Sequence, residues 1–208
     1  MACTRESGTQ HPDCCSRPPQ PNSETSRRDI LAAASALALG ISCGLAPAPA
    51  HAEPADERPK PGDLLVAFDA ENPIPLEPRN IVEGARQMFA WPMDPAQKIV
   101  RSGSRLNKLL LLRLDPSTLS GATRDHAAEG VVAYSAICPH AGCEVSVWLA
   151  DRKMLECPCH SSHYNPQQAG AVIDGPTMRP LPALPLKMSD GKLTVAKPFT
   201  SRPGIVQT

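Results

Sequence analysis

"CPHAGC" at Cys138 to Cys143 and "CPCHSSHY" at Cys157 to Tyr164 bring four cysteines and three histidines into 27 residues. The whole chain has 8 cysteines in 208 residues, and the other four lie before residue 53. Thiol and imidazole groups at this density suit three chemistries: disulfide bonding, a zinc site or an iron–sulfur centre. Zinc knuckles usually begin with two cysteines two to four residues apart and need four ligands around one ion. Here Cys138-x-His140 is tighter than that, and Cys143 and Cys159 would be left over at matched positions. Two plain disulfides would leave both histidines without a role. A [2Fe–2S] cluster held by two thiolates on one iron and two imidazoles on the other needs one Cys and one His from each of two loops. Cys138/His140 and Cys157/His160 supply that pattern.

At these residues the chain resembles the Rieske family, over roughly residues 130 to 197. Cys138, His140, Gly142 and Cys143 match the family's C-x-H-x-G-C motif, and Cys157, Pro158, Cys159, His160 and Ser162 match C-P-C-H-x-S. The resemblance implies that Cys138 and Cys157 bind the inner iron of one [2Fe–2S] cluster per chain, and His140 and His160 the outer iron. It implies a Cys143–Cys159 disulfide between the loops, a mark of the high-potential branch. It assigns redox tuning through hydrogen bonds to Ser162 and Tyr164. "GPTMRP" resembles the loop that covers the cluster, beginning at Gly175 and Pro176. Ser161 stands where quinol–cytochrome c reductases usually have Gly, and Ser161 and His163 are expected as solvated loop residues.

Two members of the family share more with this chain. "VVAYSAICPHAGC" resembles the arsenite oxidase small subunit, which implies a one-electron carrier serving a periplasmic oxidoreductase. Its partners would be a larger catalytic or redox subunit and a c-type cytochrome or cupredoxin. The alternative is the Rieske subunit of a quinol–cytochrome c reductase, which the C-terminal "GPTMRPLPALPLKMSDGKLTVA" resembles equally. No Ser–His–Asp arrangement or Gly-rich nucleotide loop is present, so substrate chemistry would belong to another subunit. With 21 Lys+Arg against 21 Asp+Glu the formal net charge is zero, which gives no reason to expect nucleic acid as a partner.

These loops need a scaffold. Aromatic content is 3% within a hydrophobic content of 41%, so the core must be mostly aliphatic. Residues 1–25 read as a disordered leader. Residues 26–52 read as a Tat signal, with Arg27-Arg28 before an apolar stretch and a small-x-small cleavage site ending at Ala52. The expected location is periplasmic, with attachment to the inner membrane only if that segment is retained as an anchor. Residues 53–62 read as a Pro-rich linker, 63–199 as an all-β, antiparallel domain whose cluster-binding part covers about 131–180, and 200–208 as a tail.

Within the domain, "DLLVAF" reads as a strand and residues 81–91 as a short helix stopped by Pro92. The run "KLLLLRL" reads as a buried strand, because it is continuously apolar over strand length. Asp115 and Pro116 suggest a helix start and Gly130 its stop. "VVAYSA", "EVSVWL", "KMLEC", "LPLKM" and "KLTVA" read as strands, with "ADRK" and "SDGK" as hairpin turns.

Overall fold

The computed structural model describes residues 53–205; the expected leader and signal lie outside the described residues. Eleven strands and one short α-helix are present among them. They are β1 (Leu64–Ala67), β2 (Met88–Asp94), β3 (Ile99–Val100), β4 (Leu109–Arg113), β5 (Val131–Ser135), β6 (Val147–Leu149), β7 (Met154–Cys157), β8 (Ser162–Asn165), β9 (Ala171–Asp174), β10 (Leu186–Ser189) and β11 (Lys192–Val195), with α1 at Gly121–His126. All strand ladders are antiparallel, as expected. No helix among the described residues is long and apolar enough to cross a membrane.

The strands form two sheets. The larger runs β10-β11-β1-β2-β4-β5, with β3 on β2, and the smaller runs β6-β7-β8-β9. The free edge of β5 is covered by residues 182–184: Ser135 N–H donates to Pro182 C=O at 2.8 Å, and Leu184 N–H to Ala133 C=O at 2.9 Å. That segment leads into β10, so the larger sheet curls into a partly closed barrel.

The continuous apolar run of β4 follows from burial on both faces. Leu109 and Leu111 enter one core with Leu65, Ala133 and Leu193, whereas Leu110 and Leu112 enter a second with Val132, Tyr134, Leu155 and Tyr164. A strand covered on one side only would alternate apolar and polar residues; one covered on both sides does not. β5 divides its side chains the same way, so these two strands carry both the barrel and the small sheet.

Two expectations are corrected. No helix forms over 81–91; β2 runs straight through Pro92, which stands opposite Leu65 in the register. A proline is tolerated in a strand where its missing N–H has no partner to leave unpaired. Here the Pro92 carbonyl accepts from Arg101 N–H at 2.8 Å, and the Arg101 carbonyl accepts from Asn107 Nδ2 at 3.1 Å in place of the missing donor. Second, Asp115 does cap a turn, but only the 3₁₀ segment Pro116–Thr118; α1 begins afresh with Ser120 as its cap and ends at His126, short of Gly130. Residues 53–62, which read as a Pro-rich linker, make contacts with the domain. Glu57 Oε2 pairs with Arg101 at 2.7 Å, and the Glu57 carbonyl accepts from Asn107 Nδ2 at 2.8 Å.

Candidate metal centre

The two motifs occupy adjoining loops at one end of the small sheet. In the first, Cys138 N–H donates to Cys143 C=O at 2.8 Å and Gly142 N–H to Cys138 C=O at 3.0 Å, and a bridge between Ile137 and Glu144 closes the neck. Gly142 makes the corner at φ 72°. The second loop is the β7–β8 hairpin, closed by the Cys157–Ser162 pair. Ser161 adopts φ 52° there, a left-handed conformation that glycine takes without steric cost. Its place as the counterpart of a family glycine is therefore physically intelligible.

A third loop follows β9. Gly175 has φ 97°, and a Cβ there would stand 2.5 Å from Ser162 Cα and 2.8 Å from Ser161 O. Only a residue without a side chain lets this loop touch the second so closely. Pro176 beside it is exposed, and Thr177 is buried.

Cys143 and Cys159 form a disulfide that joins the first two loops. Cys138 and Cys157 remain free thiols, each 1% exposed. The Cys157 sulfur lies within 4.8 Å of both disulfide sulfurs. Bonded to each other, those two have no thiolate to offer, so this trio of sulfurs is not itself a metal site. Burial pushes the Cys157 thiol up, and the adjacent Cys138 adds to this; the backbone N–H groups of Cys159 and His160 act in the opposite direction. The His140 and His160 rings meet edge to face, with centroids 4.8 Å apart. His140 is half-buried and His160 exposed.

Two hydroxyls sit beneath this mouth. Tyr164 is fully buried and its Oη lies 3.1 Å from Cys138 Sγ. Burial, and then the neighbouring Cys138, hold that phenol well above its ordinary range, so it stays protonated. Ser162 Oγ and His140 Nδ1 are buried with no partner among the described residues. His163 departs from its expectation. Instead of lying in solvent it is half-buried on β8, between Asp174, paired with its Nδ1, and Glu156, 3.7 Å from its Nε2.

Residues 111–185 match the Rieske [2Fe-2S] domain profile. The chain is 30% identical over 132 residues to the cytochrome bc1 complex Rieske iron-sulfur subunit of Streptomyces lividans, covering 62% of this chain and 76% of that protein. The chain belongs to the Rieske family. It is a Rieske electron-transfer domain of the disulfide-containing kind, and its cofactor is a [2Fe–2S] cluster.

Among other relatives, a putative respiratory nitrate reductase Rieske subunit of Haloferax mediterranei is 36% identical over 122 residues, 58% of this chain and 51% of that protein. Of the Streptomyces coelicolor bc1 Rieske subunit, the chain spans only 36%. The solved plasma membrane Rieske protein of Synechocystis PCC 6803 is 20% identical, with a TM-score of 0.34 over 52% of this chain and 84% of that one.

The residues at the mouth fit a Rieske cluster. A mixed cluster requires two thiolates and two imidazoles, and here two free buried thiols stand with the half-buried His140 and the exposed His160. The unpartnered His140 Nδ1 and Ser162 Oγ are the kind of buried polar atoms that need a partner.

Sequence reasoning missed Arg105. Its Nη2 donates to the Gly142 carbonyl at 2.7 Å across 37 residues of chain. No spacing pattern in the sequence announces such a contact.

Proposed function

We propose that Cys138 and Cys157 hold one iron and His140 and His160 the other, and that the chain carries single electrons for a periplasmic oxidoreductase. The observation that carries this reading is the meeting of the two loops: one disulfide ties them, two buried thiols remain free, and two imidazoles meet edge to face at the mouth, His160 exposed and His140 half-buried. When bound, the cluster takes up and gives back one electron. The protein supplies its setting. Cys138 and Cys157 keep their sulfurs out of water, while His140 and His160 stand where a partner can touch them. Tyr164 and Ser162 are donors for sulfur; a donor stabilises negative charge and so favours the reduced state. These donors support the reading of a high-potential centre.

The partners proposed are a larger catalytic or redox subunit and a c-type cytochrome or cupredoxin, as in the arsenite oxidase small subunit. The Haloferax relative, a nitrate reductase subunit by name, supports service to a dehydrogenase or reductase. The Streptomyces relative supports the second reading, the Rieske subunit of a quinol–cytochrome c reductase. Export by the Tat route with cleavage after Ala52 completes the proposal, and retention of the segment would anchor the chain to the inner membrane.

Iron and sulfide analysis with electron paramagnetic resonance tests the ligands. Two iron and two sulfide per chain and a rhombic signal on reduction are expected, both lost in Cys157→Ser and in His160→Ala. Identification of what co-purifies with the native protein separates the two partners, and sequencing of the mature N-terminus tests the export reading.

A further inference from the structure

The corner of the first loop is gripped from two sides. On one, Arg105 lies in the 3₁₀ turn Arg105–Asn107 that leads into β4, and it holds the Gly142 carbonyl. On the other stands the carboxyl-terminal segment. Thr200 is bound twice to Ala183, by its N–H to the Ala183 carbonyl at 2.9 Å and by its Oγ1 to the Ala183 N–H at 3.0 Å. From the third loop, Arg179 Nη2 donates to the Gly204 carbonyl at 2.7 Å.

Pro203 and Gly204 are buried. A Cβ on Gly204 would stand 2.8 Å from Leu106 Cδ2 and 3.5 Å from Ile137 Cγ2, and a Cβ on Gly142 would stand 3.6 Å from Ile205 Cδ1. The segment is therefore wedged between the Arg105 turn, the residue before Cys138 and the corner itself. Its glycine lets the backbone pass where a side chain would strike Leu106.

We infer that Arg105 and the segment Thr200–Ile205, held by Arg179, are positioning elements of the redox centre: they fix the corner at Gly142 and so the placement of His140 and Cys143. The inference rests on the reading that this loop carries ligands. The loop has two internal backbone hydrogen bonds and one disulfide to define it, so outside contacts decide how far it can move. Arg105 adds a positive charge beside the loop, and positive charge favours the state with the extra electron. Residues that read from sequence as a tail thereby become part of the electron-transfer site.

Arg105→Gln and Ile205→Ala test this against Lys192→Gln, which removes only the pairing of Lys192, on β11, with Glu77. In metal-free protein, the Cys138 and Gly142 amides of the first two variants should exchange hydrogen at least tenfold faster than in the parent, and those of the control at the parental rate. In holoprotein, Arg105→Gln should shift the redox equilibrium at least threefold toward the oxidised form and alter the paramagnetic g-values, with the control unchanged. Parental exchange rates would overturn the inference. Faster exchange with parental potential and g-values would also overturn it, making the segment a brace for the fold alone. Failure of the ligand reading shows elsewhere, as a cluster retained in Cys157→Ser.

Discussion

Tyr164 and Ser162 differ in what they already hold. Tyr164 Oη has the Cys138 sulfur at 3.1 Å, whereas Ser162 Oγ is buried with no partner among the described residues. A hydrogen bond to a charged acceptor contributes about 1.5–3 kcal/mol, and only the part that differs between oxidation states moves the potential. A tenfold change in a one-electron equilibrium corresponds to about 59 mV. Tyr164→Phe and Ser162→Ala should each lower the potential by tens of millivolts, up to roughly 100 mV, as read by protein-film voltammetry. A potential indifferent to both would remove them from the tuning of the cluster. At this scale the sequence was most informative, because the motifs are short and each residue's role depends on near neighbours. His163 was misread because its partners, Glu156 and Asp174, come from the strands on either side.

The third loop depends on one backbone conformation. At φ 97° with Ser162 Cα in the way, Gly175→Ala combines a disfavoured conformation, costing about 1–3 kcal/mol, with a collision against backbone. Chemical denaturation should show at least that loss, and the cluster should dissociate faster than in the parent. β4 offers a second test. Leu109→Ala opens a gap in the barrel core and Leu110→Ala one in the small-sheet core, and each should cost about 2–5 kcal/mol. Since the two cores share this strand, barrel and small-sheet probes should report a single transition in both variants. Separate transitions would contradict the sharing. "KLLLLRL" announced this strand plainly. β2, β8 and β9 were not legible: β2 hides behind Pro92, and the other two are strands of four residues whose polar positions pair only across the small sheet.

The molecule's first described residues and its body meet at Arg101, which is 1% exposed and pairs with Asp63 at 2.7 Å through Nε and 3.0 Å through Nη2. Arg101→Met would strand the buried Asp63 carboxylate, at a cost of about 3–5 kcal/mol, measurable as lost thermal stability. Acid acts on the same region. Lys60 and then Arg101 hold Glu57 below the usual carboxylate range, and the Gln97 and Ala96 N–H groups do the same for Asp94. The folded state thus keeps these groups ionised to lower pH than the unfolded chain does. Their stabilisation is complete above about pH 4–5 and is lost as pH falls through the lower folded values. The melting temperature should therefore drop between pH 5 and 3, and a flat profile would refute the account. The crowding of sulfur at the mouth carries a further consequence, for how the protein matures. Cys157 lies within 4.8 Å of both partners of the disulfide, so an oxidant meeting the metal-free chain has wrong pairings within reach, each of which spends a thiol that the proposed ligand set assigns to iron. On that proposal, capture of iron before oxidation would protect Cys157, whereas the reverse order would invite scrambling. Peptide mapping after oxidation of metal-free protein should find Cys157 joined to Cys159 or Cys143, and holoprotein treated alike should contain only Cys143–Cys159.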